Sequence, residues 1–252
     1  MSAEVAARWR AFVAKVEARC HETLDAAGPA LLARLEADPH DTQAFTVGWT
    51  GVRGQLQALI AKIGDAAPKL EAQMGPDGEW LAEVRHGDEV QDRLRRALSR
   101  RQTELEGAAG EIVLAAALAT VPASLPCDGC GAPVPVTCDP YQAGYLPCPY
   151  CERVATYRPS SLMREVTHFA APNIAELRAL PECAAWEAAG DALGDPRETP
   201  RAAYEARERA EIAYHRKRLE AAAEIVPSLA ARVEPDMVRH ENQARAWREH
   251  AR

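Results

Sequence analysis

Apolar residues recur every three or four positions over most of the chain, which is the spacing of one face of an α-helix. The clearest run lies between residues 45 and 70, where steps of four and three predict a narrow apolar seam against a partner helix. Its members are Phe45, Trp49, Val52, Leu56, Leu59, Ile63 and Leu70. The same spacing predicts helices over about residues 3–26 and 88–120. Because the connecting loops are short, we expect these helices to pack as an antiparallel bundle.

Details of the pattern predict where these helices end and what they bury. Gly28 and Pro29 should break the first helix, and the all-apolar stretch 112–119 predicts burial on every side of the third. After residue 160 the pattern predicts short helical pieces, then a long helix over about 200–226. A last helix over about 235–250 should bury Val238 and Trp247.

The middle of the chain has a different composition. Of the 18 prolines, eight fall between residues 122 and 159, which excludes a continuous helix there. Short β-prone runs at 134–137, 144–146 and 154–157 predict three strands. The predicted fold is therefore mainly α: a helical bundle over 1–121, a small three-stranded insertion over 122–159 and a helical region over 160–252. The region over 160–252 would either pack on the first bundle or form a unit of its own.

Five of the seven cysteines lie in the insertion. Two Cys-x2-Cys pairs are separated by 17 residues and comprise Cys127, Cys130, Cys148 and Cys151. This spacing directs four sulfurs at one ion and predicts a tetrahedral Zn²⁺ site. Free thiols or two disulfides are the alternatives. We expect Cys138 to be a spare thiol, the alternative being that it replaces one of the four ligands. Cys20 and Cys183 should be small buried residues in helical segments.

With these cysteines and strands, residues 125–158 resemble a zinc ribbon, a small module found in many unrelated proteins. The resemblance implies one structural Zn²⁺ and says little about function. Four thiolates saturate the ion, and no histidine lies between Cys127 and Cys151. A catalytic zinc would need an open coordination position, so we expect a structural site and no catalytic residue.

The charge and composition of the chain limit the kinds of partner and the cellular location that we expect. The net charge is −7 and is spread along the chain, so a dedicated nucleic-acid binder is not favoured. The amino-terminal stretch has no secretory apolar core, and the longest apolar run, 112–119, is too short to span a membrane. The odd, clustered cysteines argue against a secreted disulfide framework, and we expect a cytoplasmic protein without membrane contact.

Three functions remain as hypotheses. The favoured one is a non-enzymatic scaffold or adaptor that binds a protein partner through Tyr141, Tyr145 and Tyr150 of the ribbon. The long seam would also suit self-association. A helical di-metal enzyme would use two Glu-x-x-His pairs, Glu83–His86 and Glu165–His168, but chance pairs are common in a chain this rich in Glu.

The other alternative to an adaptor is a nucleic-acid or RNA-polymerase-binding regulator. A helical hairpin followed by a four-cysteine motif resembles the coiled-coil regulators that enter the secondary channel of RNA polymerase. The resemblance implies an acidic hairpin tip at Asp77 and Glu79. The chain departs from that family after the motif, because residues 160–252 stand where the family has a short helix.

Overall fold

The computed structural model describes residues 2–74, 80–194 and 198–250 and confirms a mainly α fold with a small β insertion. Three long helices come first: α1 (Ser2–Ala37), α2 (Thr42–Met74) and α3 (Trp80–Ala119). The insertion has strands β1 (Ser124–Pro126), β2 (Pro133–Pro135), β3 (Gly144–Pro147) and β4 (Val154–Tyr157). It is followed by α4 (Ser161–Glu165), a π-helical turn (Val166–Ala170), α5 (Ala171–Arg178), α6 (Leu180–Asp191), α7 (Arg201–Ile225), a 3-10 turn (Pro227–Leu229) and α8 (Ala230–His250).

The chain divides into two compact units, Met1–Leu105 and Glu106–Arg252. The division falls inside α3, so one helix contributes its first part to one unit and its last part to the other. The domain boundaries expected from the sequence, at 121 and 159, stay a prediction.

The first unit is an antiparallel arrangement of α1, α2 and the first part of α3. Asp41 accepts the backbone N–H of Ala44 at 3.2 Å and so caps α2. The predicted seam of α2 is largely buried, with Phe45, Trp49, Leu56, Ile63 and Leu70 each at most 4% exposed. Ile60 completes it, whereas Val52 and Leu59 are only half-buried.

The predicted break in α1 is wrong, because the helix runs through Pro29 to Ala37. A proline inside a helix costs about 3 kcal/mol, and burial on both sides of it offsets that cost. Leu24 and Leu35 are 6% and 1% exposed. Gly28 lies against α3, where a Cβ would meet Leu105 Cδ2 at 2.7 Å, so the glycine allows a close helix approach.

In the second unit α7 packs against α5, α6 and α8. Tyr214 and Arg218 of α7 both donate to the carboxylate of Glu176 in α5. The Trp186 ring of α6 stacks on Tyr214 with the ring centroids 5.5 Å apart. The last part of α3 lies against the π-helical turn and α5, where Gly110 faces the carbonyl of Ala170.

Three predicted burials in this unit are wrong. Leu118 is 47% exposed, so the end of α3 is covered on one side only. Val238 is 55% exposed and Trp247 is 38% exposed. Helix α8 begins five residues earlier than predicted, and it buries Met237 and Ala244 instead.

Candidate metal centre and ribbon surface

The β insertion consists of two antiparallel hairpins. Strand β1 pairs with β2, and β3 pairs with β4, with Tyr145 opposite Thr156 and Pro147 opposite Val154. The three predicted strands are present, and a fourth strand joins them to form two separate two-stranded sheets. Strand β1 is the addition, and its three residues, Ser-Leu-Pro, are too few to give an alternating pattern.

Each hairpin turn carries one Cys-x2-Cys pair, and the two turns have the same backbone hydrogen bonds. Cys127 N donates to Ala132 O at 2.9 Å, and Gly131 N donates to Cys127 O at 2.9 Å. In the second turn Cys148 N donates to Arg153 O at 2.8 Å, and Glu152 N donates to Cys148 O at 3.0 Å. We call these turns the first and second knuckle. Their shared geometry presents both pairs of sulfurs in the same way.

The residue after each pair adopts a left-handed backbone conformation. Its φ is 73° at Gly131 and 60° at Glu152. Glycine takes this conformation freely, whereas a residue with a side chain is strained by about 1–2 kcal/mol. The second knuckle therefore keeps a strained residue at the position where the first has glycine.

The four sulfur atoms meet as a compact group. Cys127 Sγ lies 3.5 Å from Cys151 Sγ, and Cys130 Sγ lies 3.6 Å from Cys148 Sγ. All four lie within 4.8 Å of one another. A tetrahedral ion with sulfur ligands at about 2.3 Å separates them by about 3.8 Å. The four cysteines could therefore hold a metal ion, and their donor set suits a structural one.

The electrostatics of the cluster also favour a cation. Hydrogen bonds from the backbone N–H groups of Gly129 and Cys130 lower the pKa of Cys127 to about 6. Although the N–H of Ala132 opposes the change, the neighbouring sulfurs raise the pKa of Cys130 to about 12. Crowded thiols cannot all ionise beside one another, and a divalent cation removes that repulsion.

The remaining cysteines lie apart from this group. Cys138 packs against Gly144, where a Cβ would meet its sulfur at 2.7 Å, and it is half-buried at the edge of the ribbon core. Cys20 is 1% exposed in α1, and Cys183 is half-buried in α6. All three are free thiols. The expected burial is confirmed for Cys20, whereas it is wrong for Cys183, which is only half-buried.

Two tyrosines and a valine of the ribbon point into solvent. Tyr145 and Val154 are 79% and 56% exposed on the outer face of the β3–β4 hairpin, and Tyr150 is 74% exposed on the second knuckle. Tyr141 differs, since it is half-buried. We call Tyr145, Pro147, Tyr150 and Val154 the ribbon face. Val154 had no signal in the sequence, because strand alternation alone does not say which side is outward.

The other predicted site residues do not form a second cluster. Among the described residues, the four cysteines are the one group of three or more His, Cys, Asp or Glu side chains placed to hold a metal. Glu83 is bound by the guanidinium of Arg10, with Nε 2.9 Å from Oε2, and His168 is exposed. Asp77 and Glu79 lie outside the described residues.

The fold and the site define a mainly helical protein with a small β insertion, and the four cysteines of this insertion could hold a metal ion. Comparison with protein-family models, curated proteins and solved structures gives no match to this chain. Over the described ranges, no helix is both long enough and apolar enough to cross a membrane.

Proposed function

We propose that this chain is a non-enzymatic binding protein whose ribbon is held by one structural Zn²⁺ and contacts a protein partner. Cys127, Cys130, Cys148 and Cys151 are the proposed ligands. The observation that carries the proposal is the combination of four sulfur atoms that could fill the coordination of one ion with an exposed aromatic surface beside them. The site provides rigidity, and the ribbon face provides contact area.

The size of the ribbon supports the proposed metal. Its buried core is small and consists of Cys127, Val134, Leu146, Cys148, Ala155 and Tyr157. Segments below about 40 residues usually need a metal or disulfides to fold. Zinc binding by four thiolates contributes on the order of 10 kcal/mol to such modules. The metal would act here as the main stabilising element, without an open position for catalysis.

The composition of the ribbon face supports a protein partner. Tyrosine side chains are enriched at binding hot spots because they bury a large area and lose little conformational entropy. Tyr145 and Val154 lie on the same side of the hairpin, since Leu146 and Ala155 between them point into the core. An exposed apolar surface on a rigid support is typical of a docking site.

The charge of the ribbon favours a protein over a nucleic acid. Residues 122–159 contain three carboxylates and two arginines, and a Zn²⁺ held by four thiolates adds two negative charges. Phosphate backbones require basic surfaces. The proposed partner is therefore a protein segment that offers an apolar centre with lysine or arginine around it.

The metal is tested by stoichiometry. Purified protein should contain one zinc per chain by elemental analysis, and Cys148→Ser should lose it. The matched control is Cys138→Ser, which should keep one zinc because Cys138 is outside the sulfur group. Retention of zinc by Cys148→Ser, or its loss in Cys138→Ser, would refute the ligand assignment.

The partner surface is tested by comparing variants in co-purification from the source cells. Proteins that co-purify with wild type and with Val47→Ala should no longer co-purify with Tyr145→Ala or with Tyr150→Ala. Val47 is a suitable control because it is 64% exposed on α2, far along the chain from the ribbon. Zinc content must be unchanged in all variants. Partners that survive both tyrosine substitutions would contradict the proposal, as would salt-dependent capture of nucleic acid alone.

A further inference from the structure

A groove lies between α2 and α3 in the first unit, and hydrogen-bond donors line it. None of the described residues that line it is an aspartate or a glutamate. Its volume is about 300 Å³, at the lower end for small-molecule pockets. Ile60 and Leu98, 2% and 5% exposed, form an apolar floor. The polar rim comprises Arg53, Gln57, Arg95, Ser99 and Gln102, and Ala61 lies between them.

The rim follows from helix periodicity. Arg53, Gln57 and Ala61 are four residues apart on α2, and Arg95, Ser99 and Gln102 follow at steps of four and three on α3. The two rows face each other, because Arg53 Nη1 donates to Gln102 Oε1 at 3.1 Å. Positions that flank an apolar seam between two helices usually carry opposite charges that pair. Here both rows carry arginine and neutral polar groups.

Arg53 is the uncompensated charge of this groove. Its guanidinium donates to Gln102, and no carboxylate in the described part of the chain pairs with it. Arg95 differs, since it donates to Asp92 Oδ1 at 3.1 Å and to Gln91 Oε1 at 2.9 Å. Elsewhere on α3, Arg100 donates to Glu104. A half-buried cation without a carboxylate partner, in a chain with net charge −7, therefore differs from its arginine neighbours on α3.

We propose that this groove binds a small amphipathic organic anion, with its acidic group on Arg53 and its apolar body over Ile60 and Leu98. A carboxylate, sulfonate or phosphate accepts two parallel N–H bonds from a guanidinium. Ser99 and Gln57 offer further hydrogen bonds along the rim. The groove is a binding site separate from the ribbon, and it does not depend on the proposed zinc or partner.

The test uses 8-anilinonaphthalene-1-sulfonate, an aromatic sulfonate whose fluorescence rises in apolar surroundings. It should bind wild type at one site per chain, and octanoate should displace it while octylammonium should not. Arg53→Gln should weaken the affinity about tenfold, the usual effect of losing a charge-assisted hydrogen bond. Ala61→Glu, which places a carboxylate on an exposed position of the rim, should abolish binding.

The matched control is Lys62→Gln, which removes one positive charge from the exposed side of α2, outside the groove. It should leave the affinity within about twofold of wild type, because exposed charges at a distance are screened. Circular dichroism melts identify any variant that is unfolded. An affinity unaffected by Arg53→Gln, or lowered equally by Lys62→Gln, would overturn the proposal.

Discussion

Gly131 and Glu152 occupy equivalent places in the two knuckles, and substituting each should change metal affinity in opposite directions. Both residues adopt a left-handed backbone conformation, with φ of 73° and 60°. At Gly131 an added Cβ meets nothing within 4 Å. The effect of Gly131→Ala therefore comes from the backbone alone and not from a steric clash.

The expected change in folding free energy is the difference between two opposing contributions. A left-handed residue with a Cβ costs about 1–2 kcal/mol, and glycine loses about 0.5–1 kcal/mol more conformational entropy on folding than alanine. Gly131→Ala should thus cost about 1 kcal/mol, and Glu152→Gly should gain about as much. If the ribbon folds only with the proposed metal bound, these energies appear in the affinity as changes of about fivefold.

The assay is competition for Zn²⁺ with a chromophoric chelator at fixed pH. Glu152→Gln is the necessary control, because it removes the negative charge while it keeps the Cβ and hence the strain. We expect weaker binding for Gly131→Ala, tighter binding for Glu152→Gly and only a small change for Glu152→Gln. Weaker binding by Glu152→Gly, or equal binding by Gly131→Ala and wild type, would refute the reasoning.

Two further predictions concern the helices of the second unit. A Cβ at Gly107 would meet Leu177 Cβ at 2.5 Å, so Gly107→Ala should lower the free energy of unfolding by about 1–3 kcal/mol through overpacking. A Cβ at Gly190 would meet no atom within 4 Å, so Gly190→Ala should instead stabilise α6 by about 0.5–1 kcal/mol. Denaturant melts that show the same direction of change for both variants would contradict this prediction. The rings of His215 and His240 stack with centroids 3.7 Å apart, and burial and the neighbouring His240 lower the pKa of His215 to about 4. The unfolded chain then binds more protons than the folded one between about pH 6.5 and 4, so the free energy of unfolding should fall on acidification through that range, by roughly 1–2 kcal/mol after allowance for solvent screening. His215→Phe should reduce this loss of stability on acidification. If the difference in free energy of unfolding between pH 7 and pH 4.5 is the same in His215→Phe as in wild type, the prediction is wrong.

The structure could be predicted from the sequence where a short, repeated spacing of residues determines it. The seam of α2 could be predicted because its apolar residues need only the helical repeat to reach one face, and Phe45, Trp49 and Ile63 are buried accordingly. The four-cysteine cluster could be predicted because two tight turns bring their own sulfurs together. In both cases a short repeated spacing carries the information.

The errors arose where distant contacts override local preference. Pro29 is a helix breaker by itself, yet burial of Leu24 and Leu35 in the bundle keeps α1 continuous. Trp247 was expected to be buried as a large aromatic, but the Arg207 guanidinium lies 3.6 Å from its ring centroid and covers one face of it. The pairing of strands into two hairpins could not be predicted either, since short strands give no signal for their partners.

The two knuckles explain why the ribbon face is exposed. In a small β module the outward residues are often needed to complete a core, because too few side chains point inward. Here the sulfur group lies at the turns of both hairpins, and Leu146 and Ala155 fill the space between them. If the metal supplies most of the folding energy, Tyr145 and Tyr150 contribute little to stability. A loss of binding in Tyr145→Ala with unchanged zinc affinity therefore separates recognition from folding, which an apolar core residue could not do.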